Sequence, residues 1–504
     1  MDVLISAIAP LADIWVIVYM LLGLLAGVLF GAIPGLNAGI GIALMLPVTY
    51  TMDPLTSLVF LTSIYTGGVF GGAITAILIN APGSPSAVAT TLDGYPMAVK
   101  GQANEALGLS LGASATGGLL GMIFLCVIIQ PLAAFALKFG PAETFLLVIF
   151  ALTSIASLSE SSFLKGIVAG LFGLLLGTIG FSASGSMRFT FGQTYLMDGM
   201  PIIPALIGFL ALSELFLRLE EDDVELPSAG RLNFLKIVKG MLMVPRRFWA
   251  VLRSSVIGIF VGAIPGVGAT VGSLISYETA RRSSRTPERF GRGEPDGIIA
   301  AESANNASEG GAMATMLALG IPGGAATAIL IGALTIQGIV PGPRLVYEHQ
   351  DVIFGLLAAE MLEQILLLGV GFVVAAVFLR VIYTPYAVLV PVVLAMCYIG
   401  AFSVRNAGFD ATLLIGCGVL GWLMKREGYP VVAVVIGLML GKTADAELIR
   451  IFQLYGGDFT VFFKSPICLV LMVATLLSLA APIWSALRKR RTGDDLDLHG
   501  DTGA

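Results

Sequence analysis

Residues 302–309 read Glu302-Ser-Ala-Asn305-Asn306-Ala-Ser308-Glu309 and stand just before an apolar run. A carboxylate inside a membrane is costly, and those that persist usually serve a function. Ionised Glu302 brings a negative charge that Na+ can offset, or a base that takes up a proton. The Asn305 and Asn306 carbonyls are hard oxygen ligands of the kind such cations prefer. Glu302, Asn305 and Asn306 are therefore the candidate coupling-ion site. The competing role for Glu302 is an N-terminal helix cap at the membrane surface.

A second chemistry comes from four proline-glycine breaks inside apolar stretches. Gly31-Ala-Ile-Pro34-Gly35-Leu-Asn37 in the first half is echoed by Gly262-Ala-Ile-Pro265-Gly266-Val-Gly268-Ala-Thr270 in the second. Asn80-Ala-Pro82-Gly83-Ser84 is likewise echoed by Gly320-Ile-Pro322-Gly323-Gly324. Proline cannot continue a helical ladder and glycine tolerates unusual angles, so each break ends one helix and opens another. Irregular backbone at membrane depth survives only where protein or a wet cavity satisfies it. Residues 31–92 and 299–343 contain no Lys or Arg. An anion held here would rely on helix N-termini and free backbone amides, assisted by hydroxyl and amide side chains. The candidate substrate site is Pro34, Gly35, Asn37, Pro82, Gly83, Ser84, Ser86, Pro265, Gly266, Thr270, Pro322, Gly323 and Thr327. The plainer role for each hydroxyl is helix packing or bonding back to its own helix.

Enzyme chemistry finds no support. The only histidines are His349 and His499, and neither a His-Glu-x-x-His nor a Gly-x-Ser-x-Gly motif occurs. Gly437-Leu-Met-Leu-Gly441-Lys442-Thr443 resembles a phosphate loop but is one residue short. Cys126, Cys397, Cys417 and Cys468 lie in apolar runs and read as buried small residues. No catalytic residue, metal site or cofactor is expected beyond a coupling ion. Glu143, Glu214, Glu360 and Glu363 are expected at helix ends or subunit contacts.

These residues need a scaffold, and the composition names it. The chain has 504 residues, 57% hydrophobic and only 12% charged, against about 25% charged for a soluble domain. Apolar runs near 12–30, 144–158, 163–181, 200–217, 385–402, 409–424 and 465–487 read as long enough to span a bilayer. The reading is an all-α polytopic membrane protein with about 12–14 membrane segments, counting re-entrant ones. Residues 1–12 lack the basic start of a cleavable signal peptide.

The paired breaks divide the chain into repeat one (12–217), a linker (218–249), repeat two (250–447) and an extra C-terminal helix (465–487). Gly199-Met-Pro201 and Gly428-Tyr-Pro430 match at the same spacing within the halves. The first basic residue in the chain is Lys100, whereas residues 218–253 hold seven Lys/Arg. The loop near 48–54 has none, while its counterpart carries Arg281, Arg282, Arg285, Arg289 and Arg292. Cytoplasmic loops carry the Lys/Arg excess, so opposite bias at equivalent positions implies inverted-topology repeats. With basic loops on both sides, residues 254–280 are expected to enter and return as a re-entrant hairpin broken at Pro265-Gly266. The alternative is one tilted helix kinked at the proline.

The Gly31–Gly35 break, Asn80-Ala-Pro82-Gly83-Ser84 with Asp93-Gly94-Tyr95-Pro96, Glu302-Ser-Ala-Asn305-Asn306-Ala, Gly320-Ile-Pro322-Gly323 and Gly338-Ile-Val-Pro341-Gly342-Pro343 together resemble the large membrane subunit of the tripartite tricarboxylate transporter family. The resemblance covers essentially the full chain. It implies a multi-pass secondary transporter of the bacterial inner membrane, importing a carboxylate such as citrate and driven by Na+ or H+. It implies a small membrane subunit and a periplasmic solute-binding protein as partners, contact with membrane lipid, and no nucleic acid. A passive anion channel or pore-forming subunit is the alternative; flux independent of an ion gradient would mark it.

Overall fold

The computed structural model describes residues 11, 13–33, 36–157, 163–220, 233–265, 268–377 and 386–492. Pro34, Gly35 and Gly266 lie outside the described residues, as does the acidic part of the linker from Glu221 to Glu225.

The described chain is mostly helical, with turns and loops between helices and one small antiparallel pairing of Gly180–Phe181 with Met187–Arg188. The first half gives α1 (Ile14–Ala32), α2 (Ala38–Met45), α3 (Pro54–Ile79), α4 (Val88–Val99), α5 (Ala103–Ala136), α6 (Pro141–Ser157) and α7 (Phe163–Gly177). Helix α8 (Ile202–Ile207) continues through a π-helical turn (Gly208–Leu212) into Ser213–Arg218. A short amphipathic helix, α9 (Phe234–Met243), follows; it buries Ile237 and Gly240 against α5 and exposes Phe234, Leu235 and Leu242. The second half gives α10 (Phe248–Gly262), α11 (Gly268–Ser283), α12 (Pro295–Leu319), α13 (Ala325–Ile336), α14 (Gln350–Val377), α15 (Tyr386–Arg405), α16 (Gly408–Arg426) and α17 (Val431–Tyr455). Helix α18 (Pro466–Thr492) ends the described chain.

Five of these helices are long and apolar enough to cross a membrane: α1, α3, α5, α14 and α16. Several others are apolar but shorter. The protein is thus an all-α, multi-pass membrane protein.

Local sequence explains where the central helices begin and end. Asp53 caps α3, accepting from the Thr56 amide at 3.1 Å, with Pro54 at the first helical position. Helix α3 stops at Asn80, in the left-handed conformation at φ 57°. Helix α12 likewise opens on Pro295 and stops at Gly320, φ 71°. A proline-glycine pair follows each stop.

Small residues set the packing distance, as expected where lipid removes the hydrophobic drive between helices. Gly27 and Gly31 of α1 lie against Gly67, Gly68 and Gly71 of α3, backbone to backbone, and Gly23 lies against Phe60 and Ser63 one turn earlier. Gly258 and Gly262 of α10 meet Ala304 and Ser308 of α12 in the same way. An adjacent face of α12, at Ser303 and Ala307, takes Gly117 and Gly121 of α5. Gly173 and Gly177 of α7 meet Gly437 and Gly441 of α17. A glycine spacing that resembled a phosphate loop is therefore a helix-packing seam.

Candidate functional site

Four short stretches, one beside each break, come together around a single cavity of about 310 Å3. Asn37, Ala38 and Gly39 come from the start of α2; Ser84, Pro85 and Ser86 lead into α4. Gly268, Ala269 and Thr270 open α11, and Gly323 to Ala326 open α13. Tyr65 and Gly68 of α3, Ser308 and Ala312 of α12, and Pro430 and Val432 at the start of α17 complete the wall. Among the described residues, no Asp, Glu, Lys or Arg lines it.

Each chain segment arrives there for a local reason. Asn37 caps α2 by accepting from the Ile40 amide at 3.1 Å. The Ser84 and Ser86 hydroxyls bond each other at 3.0 Å, and Ser273 donates to the Ser86 carbonyl at 2.9 Å, joining α11 to the second break. The Gly324 amide donates to the Thr327 hydroxyl at 2.9 Å, closing the first turn of α13. Gly83 donates its amide to the Gly72 carbonyl at 3.2 Å, which fixes the second break against α3.

Helix starts expose unpaired N–H groups and the positive end of the helix dipole. A cavity bounded by several of them, with hydroxyl and amide side chains and no fixed charge, suits an anion.

Of the candidate substrate residues, Asn37, Ser84, Ser86, Thr270 and Gly323 line this cavity. Thr327 stands in the first turn of α13, fully buried, and braces the break instead. Pro82, Gly83, Pro265 and Pro322 form the turns behind the wall. Sequence reasoning did not single out Pro430; its place in the Gly428-Tyr-Pro430 match was the available signal.

Glu302, Asn305 and Asn306 are fully buried in α12 and do not line the cavity. Thr90 donates to Oε1 of Glu302, and Ser114 donates to Oε2 at 2.9 Å. Glu302 is two turns inside α12, so the helix-cap role does not apply. Neither polar atom of the Asn305 side chain has a hydrogen-bond partner, nor does Oδ1 of Asn306. Asn306 uses its Nδ2 on the Glu302 carbonyl at 3.3 Å.

The expectation for two other carboxylates needs correction. Glu360 and Glu363 are neither at a helix end nor on an outer surface. They sit in the body of α14 at 1% and 0% exposure, facing Glu309 of α12 and Thr62 and Thr66 of α3. The reason is periodicity: Glu360, Glu363 and Gln364 fall on one stripe of α14, turned inward, while Ile365 and Val373 face out. Glu143 does stand in the first turn of its helix, accepting from the Gly140 amide at 3.0 Å.

Asp93 gains a role that its spacing alone could not show. It is fully buried and gathers three donors: the Gly293 amide at 2.7 Å, the Glu294 amide at 2.8 Å and the Tyr277 hydroxyl at 2.9 Å. It therefore ties α4 to the end of α11 and the start of α12.

Broken helices around an uncharged, amide-rich cavity define a membrane protein of the solute-handling kind. The model of the tripartite tricarboxylate transporter TctA family matches residues 17–436. An Agrobacterium vitis protein described as "Uncharacterized 52.8 kDa protein in TAR-I ttuC' 3'region" is 34% identical over 487 residues, covering 96% of each chain. A second from the same organism, "Uncharacterized protein in TAR-II ttuC' 3'region", is 30% identical over 234 residues, 46% of this chain and 97% of its own. No solved structure matches. The chain belongs to the TctA family of tripartite tricarboxylate transporters, a family of transporter membrane components rather than of enzymes.

Proposed function

We propose that the protein imports a carboxylate anion, citrate or a relative, through the cavity between the four breaks, driven by Na+ or H+. The cavity carries the reading. Its wall offers the starts of helices from both halves of the chain and no cationic side chain to hold the anion too tightly for release.

The coupling ion is assigned to Glu302, Asn305 and Asn306. The unpartnered Asn305 and Asn306 oxygens lie one turn from a buried carboxylate, and all are oxygen donors. Positive charge bound there would favour an anion at the break beyond Thr90.

Inverted repeats are the architecture proposed for this site. The element order supports it: helix, break, helix, long helix, break, helix occurs from α1 to α4 and again from α10 to α13. So does the reciprocal packing of α12 on α5 and α3 on α14, and of α7 on α17 and α16 on α8. Helix α10 has 15 residues, or roughly 22 Å at 1.5 Å each, short of the ~30 Å hydrocarbon core. That length fits a re-entrant arm. A periplasmic binding protein delivering the substrate, a small membrane subunit and a bacterial inner-membrane location complete the proposal, drawn from the family.

The decisive experiment is citrate uptake into proteoliposomes holding all three components, under imposed Na+ or pH gradients. Uptake that follows concentration alone and ignores both gradients would sink the proposal in favour of a passive pore.

A further inference from the structure

Glu309 of α12 and Glu363 of α14 share one hydroxyl. Thr66 Oγ1 lies 3.0 Å from Glu309 Oε2 and 3.5 Å from Glu363 Oε2. It also accepts from Gln364 Nε2 at 3.3 Å. Thr62 donates to the other oxygen of Glu363 at 3.0 Å. A threonine hydroxyl owns one proton, so it cannot donate to both carboxylates at once.

A third acid lies one turn from Glu363 on the same helix, α14. Glu360 is 1% exposed, interacts electrostatically with both Glu309 and Glu363, and its Oε2 has no hydrogen-bond partner. Glu309 Oε1 and Gln364 Oε1 also lack partners.

No positive charge stands among them within the described residues. Helices α1, α3, α5, α12 and α14, which surround the cluster, contain no Lys, Arg or His. The other titratable groups facing it are Tyr65 of α3 and Cys126 of α5, both within electrostatic reach of Glu360. Glu302 lies two turns away along α12 and has its own partners. The charged groups of neighbouring α10 and α11 are used elsewhere: Arg253 bonds Ser283, and Glu278 pairs Arg281 and Arg282. On α4, Asp93 is taken by Tyr277 and two amides. Three ionised carboxylates buried side by side with only neutral partners would repel one another and pay no return in solvation.

We infer that Glu309, Glu360 and Glu363 form an exchangeable proton-binding site, separate from Glu302, whose occupancy is read at the cavity through Tyr65. Each proton bound neutralises one carboxylate, and its release restores one negative charge; no other bond changes. Tyr65 and Ser308 line the cavity, and their chain neighbours Thr66 and Glu309 are hydrogen-bonded members of the cluster, so the charge on Glu309 and Glu360 is felt at Tyr65. Protonation therefore lowers the negative potential felt by an anion in the cavity, and deprotonation raises it. The use of this site in coupling rests on the transporter reading; its proton occupancy does not.

Infrared difference spectra of the full chain in liposomes, without substrate, test the occupancy between mildly acidic and mildly alkaline pH. The wild type should show a protonated-carboxyl C=O band that disappears as pH rises and shifts in D2O. Glu309→Gln and Glu363→Gln should each remove part of that band, and Glu143→Gln should leave it intact. A band absent at every pH, or unchanged in both cluster variants, overturns the site. A band lost on adding sodium chloride but not choline chloride at fixed pH overturns its assignment to protons. Coupling is then read from citrate uptake by the complete transporter under an imposed pH gradient. Glu363→Gln should lose the response to the gradient while keeping citrate counterflow. If the wild type moves no citrate, the transporter reading fails while the infrared result stands. If the wild type responds and Glu363→Gln responds equally, the coupling role is overturned.

Discussion

Gly83 and Gly31 meet so closely that a Cβ on Gly83 would lie 1.9 Å from the Gly31 carbonyl oxygen. One break is thereby locked against the end of the helix that precedes the other. Backbone on both sides leaves nothing flexible to yield. Gly83→Ala should displace the second break and destabilise the fold by about 1–3 kcal/mol, the usual cost of overpacking. Transport should be lost with it. Gly369→Ala in α14 is the control: its Cβ would meet nothing within 4 Å, and alanine suits a helix better than glycine by about 1 kcal/mol. Thermal unfolding in detergent should separate the two; equal melting temperatures would refute the close-approach argument.

Asp93 gives a stability prediction away from the cavity. Replacing it with Ala strands two backbone amides and the Tyr277 hydroxyl inside the protein. Each unsatisfied buried donor costs about 1–3 kcal/mol. Asp93→Ala should therefore reduce folded yield severely, and Tyr277→Phe, which removes one bond and leaves one acceptor short, should cost about 1 kcal/mol. Chemical denaturation of the purified variants ranks them. The order reversed, with Tyr277→Phe the worse, would contradict the tether.

The parts of this picture readable in the sequence were those carried by backbone chemistry. Proline followed directly by glycine marked the breaks, whereas Pro96, Pro131 and Pro391, each without that glycine, sit inside helices; all four breaks border one cavity through residues that the structure describes. Small-residue spacing was visible too: the run through Gly437 and Gly441 falls one residue short of a phosphate loop, and its packing role shows only once its partner helix α7 is known. What the sequence could not show was pairing at long range. Thr62 and Glu363 are hundreds of positions apart, and nothing local says that both face one point. Glu360 and Glu363 are expected from the sequence at helix ends or subunit contacts, and only their partners on α3 and α12 show that they face inward. Asp93 sat in a recognisable motif, yet its partners Gly293 and Glu294 donate backbone amides, which leave no mark on side-chain identity.

Asn37 allows charge to be tested apart from structure. Its Oδ1 caps α2, and aspartate supplies the same acceptor. Asn37→Asp should fold as the wild type does while placing a negative charge on the cavity wall. Against an anion that costs at least about 1.4 kcal/mol, or roughly tenfold in affinity. The apparent KM for citrate should rise accordingly, and more at low salt. Asn37→Ala should instead lose about 1 kcal/mol of helix stability through the cap. An unchanged KM in Asn37→Asp would show that the anion does not approach α2.

Opposite orientation of the halves is checked by labelling from one side. Thr51, after α2, and Arg285, after α11, are both exposed and occupy matching places. In a background without the four native cysteines, Thr51→Cys and Arg285→Cys should react with an impermeant maleimide from opposite faces of the membrane. Reaction from the same face would remove the inverted-repeat proposal.

Asn305 separates an ion site from a merely structural one, because the two roles move stability in opposite directions. Its side chain is fully buried, and neither polar atom has a partner. An unsatisfied buried polar group costs about 1–3 kcal/mol, and a leucine of similar size removes that penalty. A residue kept only for folding would not be kept in this form. Asn305→Leu should therefore melt higher than the wild type while losing ion-dependent uptake. Glu302 behaves differently, since Thr90 and Ser114 already satisfy both of its oxygens. Glu302→Gln turns one acceptor into a donor facing Ser114 or Thr90, and should lower stability slightly as well as weakening the response of uptake to the ion gradient. The two measurements together decide the site. Ion dependence retained in both variants places the coupling ion elsewhere, and a lower melting temperature in Asn305→Leu makes that residue part of the packing instead.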